Sequence, residues 1–149
     1  MILFPLINQE VTLIEYASFF GSVQIFKYLY QNGVEKTPLL WIYSINGDNA
    51  ELIRILEDHE IKPEDKTFES CNEESIACHH NDIINYIESN YISSKDHLDY
   101  YSYWYEYYNF QLIPTNLNED SFYDLIEFDY YAVIKLLLNN KSIDINKKN

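Results

Sequence analysis

Cys71, Cys78, His79 and His80 are the one place in this 149-residue chain where metal-ligand residue types cluster. Structural zinc needs close ligand pairs that can close a tetrahedron, and the spacing C-x6-C-H-H supplies none. Adjacent histidines on a helix point roughly 100° apart, so they do not converge on one ion. Seven residues of helix also separate the two cysteine Cα atoms by about 10 Å, too far for a disulfide. His59 lies among Glu57, Asp58 and Glu60, and His97 lies beside Asp96 and Asp99. Both combine an imidazole with carboxylates, as acid–base chemistry does, but read more simply as solvated helix ends. Neither a glycine-rich phosphate loop nor a G-x-S-x-G elbow occurs. The residues thus predict no catalytic group, no cofactor and no metal, and the chain is not expected to be an enzyme.

The remaining distinctive stretch is aromatic: Tyr100-Tyr101-Ser102-Tyr103-Trp104-Tyr105-Glu106-Tyr107-Tyr108-Asn109-Phe110. Such rings offer large, stiff contact area at low entropic cost, as in antibody paratopes. They can equally fill a groove between helices, each tyrosine burying its ring and keeping its hydroxyl wet. Base stacking is the nucleic-acid version, and it lacks the interleaved lysine and arginine it needs. The formal net charge of −14, from 24 acidic and 10 basic side chains, repels phosphate backbones and anionic lipid. Nucleic acid and membrane surfaces are therefore excluded as expected partners, and a basic protein, or a neutral one with basic patches, is favoured. The apolar opening, Met1 to Ile7, is too short for a membrane span and lacks the basic start of a secretory signal. With two cysteines and no disulfide framework, a reducing, cytoplasmic location is the expectation.

Helices must position these residues. Glycine (3) and proline (4) are too scarce for an all-β fold with many tight turns. The stretch Thr12–Gly33 reads as two short helices with a turn at Gly21, capped by Thr12 and closed by Gly33. Ile25, Phe26, Tyr28 and Leu29 are expected to be buried in its second helix. Neither helix is long enough to persist alone, so the hairpin needs neighbours. The pattern recurs: Ala17, Ser44, Ser75 and Leu125 each precede an aliphatic or aromatic pair (Ile25-Phe26, Leu52-Ile53, Ile83-Ile84, Val133-Ile134) by eight residues. A small residue fits where two helices approach closely, and Leu125 departs from that. Thr37-Pro38 reads as a helix start, Asp48 or Asn49 as the cap of a following helix, and Ser93 with Asp96 as a capping box. In the aromatic stretch Ser102 precedes Phe110 by eight, and Pro114 then interrupts any second helix. It reads as a decayed unit that kept only its first helix.

These residues resemble the ankyrin repeat family. The first unit follows the family pattern from Thr12 through Ala17, Gly21, Ile25-Phe26 and Tyr28-Leu29 to Gly33, the second carries Thr37-Pro38-Leu39, and Asp144-Ile145-Asn146 is similar to the family's finger segment. The family's Thr-Pro-Leu-His histidine is Glu15 in the first unit and Leu40 in the second, and its Gly-His turn is Gly21-Ser22. The runs Leu13–Gly21, Cys78–Asp82 and Ser121–Leu125 further resemble an expanded protist subfamily of ankyrin proteins.

The resemblance implies an all-α, ankyrin-type helical-hairpin solenoid in a single array. Its units are at about 12–36, 37–66, 69–92 and 119–146, with a degenerate Tyr-rich helix at about 94–114. It further implies non-catalytic binding of a protein through the concave helix and finger face, with Phe19, Trp41, Tyr103 and Tyr107 as candidate contacts. The alternative is a truncated or structural repeat fragment that self-associates through an uncapped C-terminal repeat or packs on further repeats.

Overall fold

Thr12 starts the first helix as its residue type predicts. In the computed structural model, which describes residues 10–92, 101–113 and 119–139, its hydroxyl accepts from the Glu15 amide, and the Glu15 carboxylate accepts from the Thr12 amide (2.8 Å). This reciprocal capping box satisfies two orphan donors of α1, Leu13–Phe19. The helices that follow are α2 (Val23–Gln31), α3 (Leu40–Asn46), α4 (Ala50–Asp58), α5 (Glu69–Ala77), α6 (Asn81–Asn90), α7 (Tyr101–Glu106), α8 (Glu119–Glu127) and α9 (Tyr131–Asn139). Among the described residues there is no strand, and no helix is long and apolar enough to cross a membrane. The His97 pairing, the Ser93–Asp96 box and the Asp144-Ile145-Asn146 segment lie outside the described residues.

The chain forms two compact bodies, Met1–Leu98 and Asp99–Asn149. In the first body, α1–α2, α3–α4 and α5–α6 are hairpins, and α1 packs on α3 as α3 packs on α5. The small residues sit where they are needed: Ala17, Ser44 and Ser75 are all buried. Between α1 and α3 the Ser18 and Ser44 hydroxyls meet at 2.8 Å, and the Ser75 hydroxyl donates to the Cys71 carbonyl (2.7 Å). The apolar interior runs through Ile14, Phe26, Leu40, Trp41, Leu52, Leu56, Phe68, Ile83 and Ile87. In α2 only part of the expected set turns inward. Phe26 is buried and Leu29 half-buried, whereas Ile25 and Tyr28 are exposed.

Each hairpin closes with the same turn. An amide donates to the carbonyl five residues earlier: Ser22 to Ala17 (2.8 Å), Asn49 to Ser44 (3.3 Å), His80 to Ser75 (3.0 Å) and Tyr130 to Leu125 (2.8 Å). The residue before each donor is left-handed: Gly21 (φ 61°), Asp48 (46°), His79 (61°) and Asp129 (56°). This is a Schellman-type helix end, in which a left-handed residue lets the last carbonyls find donors. Asp48 therefore forms the turn, and Asn49 does the capping, accepting from Glu51 and Leu52 amides (both 3.1 Å).

Gly47, in the second of these turns, is glycine for a different reason. A Cβ there would stand 2.5 Å from the Ser18 carbonyl oxygen, so the first two turns approach closely only because it is absent.

The second body holds the aromatic stretch as helix, with α7 packing on α8 and α8 on α9. Its register differs from the expected one. Asn109 donates to Trp104 (2.9 Å) and Tyr108 is left-handed (φ 55°), so Trp104, not Ser102, occupies the position of Ala17. Eight residues on from Trp104 stands an aliphatic pair, Leu112-Ile113. The segment thus keeps the turn and the pair of a further hairpin, while 110–113 form only turns. Tyr105, Leu125 and Tyr130 make its buried core, with Ile113, Phe128, Val133, Ile134 and Leu137 around them.

Candidate functional site

Trp41 begins α3 beneath the link from α4 to α5. Its indole Nε1 donates to the Ile61 carbonyl (2.6 Å), and its ring meets Phe68 edge-on at 4.9 Å. Phe68 in turn stacks on Tyr91 at 3.9 Å. At 1 % exposure Trp41 holds the link down and presents no contact surface, which corrects the expectation that it meets a partner. Phe19 is nearly as enclosed, 8 % exposed, with its ring against Phe20 (5.1 Å) and Tyr43 (6.5 Å). It stands at the end of α1 that carries the turn, opposite the end joined to a link. Tyr103 and Tyr107 are half-buried and stack on one another at 6.3 Å, 18° from parallel. The four aromatic residues thus divide into one core anchor, one groove wall and one stacked pair.

Thr37 also differs from its expected role. It does not cap α3, whose preceding residue is Leu39. Its hydroxyl donates instead to Glu15 Oε1, and Glu15 is itself buried. One carboxylate thereby holds the start of α1 and the link into α3 together.

A groove of about 580 Å³ runs across three successive turns, lined by Phe19, Phe20, Asn46, Gly47, Ala77, Cys78, His79 and His80. Its polar groups are engaged in packing. Glu74 accepts from Asn46 Nδ2 (2.9 Å) and from the Cys78 thiol (3.6 Å), and burial raises its carboxyl above the usual range. Burial, with Glu74 adding to it, pushes the Cys78 thiol up to about 12; burial with Asp65 adding to it does the same for Cys71. His80 Nδ1 lies 3.6 Å from Asp48. Both cysteines are free thiols, and among the described residues no three His, Cys, Asp or Glu side chains converge to hold a metal ion.

The second groove, about 490 Å³, lies between α4 and α6. Ile53 and Ile83, both buried, floor it, and Glu57, Asp58, Asp82, Arg54 and Tyr86 rim it. Three carboxylates thus face one guanidinium. Asp58 takes up Arg54 only loosely, at 3.9 Å and in solvent, so the rim keeps a negative field. Glu57 Oε1 accepts from the hydroxyls of Tyr86 (2.7 Å) and Tyr91, which fixes that carboxylate in place. The hydrogen bond to Glu57, then burial, raises the Tyr86 phenol; for Tyr91 burial comes first and Glu57 second.

The sequence carries a signal for this groove in its register. Glu57-Asp58 follows the aliphatic pair of the second unit, and Asp82 precedes that of the third, so register places all three beside the seam between α4 and α6. What the arrangement offers chemically is an apolar floor with an acidic rim. No family model, no curated protein and no solved structure matches this chain.

Proposed function

We propose that this chain is a non-catalytic protein-interaction module built of ankyrin-type hairpins, and that it takes a basic, partly apolar segment of a protein partner against α4 and α6, the second helices of their hairpins, in place of the concave first-helix and finger face that the resemblance implies. The observation that carries the reading is the α4–α6 groove, where Ile53 and Ile83 offer apolar contact and Glu57, Asp58 and Asp82 outnumber Arg54. A lysine- or arginine-bearing segment gains there from both, and the net charge of −14 steers it in from a distance.

The ankyrin assignment is supported by the repeated offset of eight residues, by the turn that closes each hairpin alike, and by the packing of α1 on α3 and α3 on α5. The non-catalytic assignment is supported by what the candidate groups do: both thiols are held protonated, and Glu74 and Glu15 are spent on joining hairpins.

The test is a titration of labelled peptides graded from acidic to basic, each with the same aliphatic content, followed by fluorescence anisotropy. Basic peptides are expected to bind, to weaken with added salt, and to lose about tenfold or more in affinity to the D58K/D82K variant. Equal affinity for acidic and basic peptides, or an unchanged affinity in the variant, overturns the reading.

A further inference from the structure

The first hairpin leaves an apolar face uncovered at positions that its neighbours bury. In the common register Leu13 corresponds to Leu40, Tyr16 to Tyr43 and Ile25 to Leu52. Leu40, Tyr43 and Leu52 are 0 %, 1 % and 0 % exposed, whereas Leu13, Tyr16 and Ile25 are 74 %, 53 % and 58 % exposed. Phe20 and Tyr28, on the same hairpin, are exposed too, and the Tyr16 and Phe20 rings touch at 4.8 Å. Spacings of three and seven along α1, and of three along α2, put the five side chains on one side of the hairpin. Together they expose roughly 600 Å², about three-quarters of the ~800 Å² that each partner brings to a standard stable interface.

Charge says what covers this face. Residues 12–33 contain one acidic and one basic side chain, Glu15 and Lys27, in a chain of net charge −14. Two copies repel one another across most of their surface, and on this aromatic-rich, nearly neutral patch they do not.

We propose that this face, centred on Leu13, Tyr16, Phe20, Ile25 and Tyr28, pairs with the same face of a second copy in a two-fold dimer. Isologous pairing needs no second complementary surface, and an apolar patch carrying three aromatic rings is self-complementary in chemistry. The inference does not rest on the α4–α6 groove, which belongs to other helices.

Sedimentation of the full chain over concentrations up to ~100 μM tests it, since a standard interface is well populated there. A monomer–dimer equilibrium is expected, and L13E/I25E should weaken it at least about tenfold without changing helical circular dichroism, because both positions are solvent-facing. Hydroxyl-radical labelling of the unmodified chain gives a second readout: the five side chains should gain protection as concentration rises. A wild-type monomer at every concentration overturns the proposal, and one in which these side chains are nonetheless protected assigns the cover to the chain's own segment. A dimer that persists in L13E/I25E, or labelling of the five residues that does not change with concentration, overturns it as well.

Discussion

Glu74 couples two hairpins to pH. It sits on α5 against Asn46 of α3 and Cys78, and burial raises its carboxyl above the ordinary value. A carboxyl raised in the folded state binds its proton more tightly there than when unfolded. Its contribution is therefore full at acid pH and is lost as pH rises from the ordinary carboxylate range through the raised value. E74Q, which keeps an acceptor for Asn46, is expected to raise the urea midpoint at neutral pH and to leave it unchanged below the carboxylate range. The two thiols give a second expectation at this scale. Pushed up to about 12, Cys71 and Cys78 are nearly all thiol at neutral pH, and the thiolate is the nucleophile. Alkylation should be slow in the native protein and rise to the rate of a free cysteine in denaturant. Gly47 supplies the third. G47A forces a Cβ to within 2.5 Å of the Ser18 carbonyl, which should cost about 1–3 kcal/mol in chemical unfolding.

Helices and turns were legible in the sequence where a single residue type decides a local geometry. Thr12 caps, Gly21 and Gly33 take left-handed backbone, and a buried small residue stands at 17, 44 and 75. Legibility fails where the deciding contact is distant in sequence. Thr37 looks like a cap and is instead the hydrogen-bond partner of Glu15, 22 residues away. Trp41 looks like an exposed aromatic anchor and is a core residue, because the link at Ile61 and Phe68 folds over it. Ser102 fits the small-residue rule and so points to a register two residues early for the aromatic stretch, whereas Trp104 occupies the position. The candidate contacts Phe19, Tyr103 and Tyr107 had only residue type behind them, and type does not say which side of a short helix faces solvent. The α4–α6 groove needed three carboxylates from two units to be seen together. At this scale T12A, which removes the hydroxyl half of the capping box and leaves Glu15 the backbone amide at position 12 and the Thr37 hydroxyl, should cost about 1 kcal/mol. W41A should cost about 3–5 kcal/mol in urea unfolding, since it empties the space beneath the link.

For the first body as a whole, each hairpin leans on the next, α1 on α3 and α3 on α5, so stability is shared between neighbours and not owned by one. A loss of 3–5 kcal/mol is a large fraction of an ordinary domain's stability, and placed in the middle hairpin it should be felt on both sides. Hydrogen exchange of W41A is accordingly expected to quicken in α1–α2 and α5–α6 as well as in α3–α4, whereas T12A should act mainly on α1.

The distance from Ala17 to Ser44 is 27 residues, from Ser44 to Ser75 31, from Ser75 to Trp104 29 and from Trp104 to Leu125 21, yet the step from each of these residues to its pair is always eight. Length variation is confined to what lies between hairpins, because the turn inside each hairpin must pass straight from one helix to the next, whereas a link opens on the same backbone bond (Val34 to Leu29, Ile61 to Leu56) and then runs on for a variable length. Insertions and deletions in this lineage should then be tolerated in the joins and purged from the folds of the hairpins, so the chain can be shortened or lengthened by whole modules much as a ruler is cut at its marks.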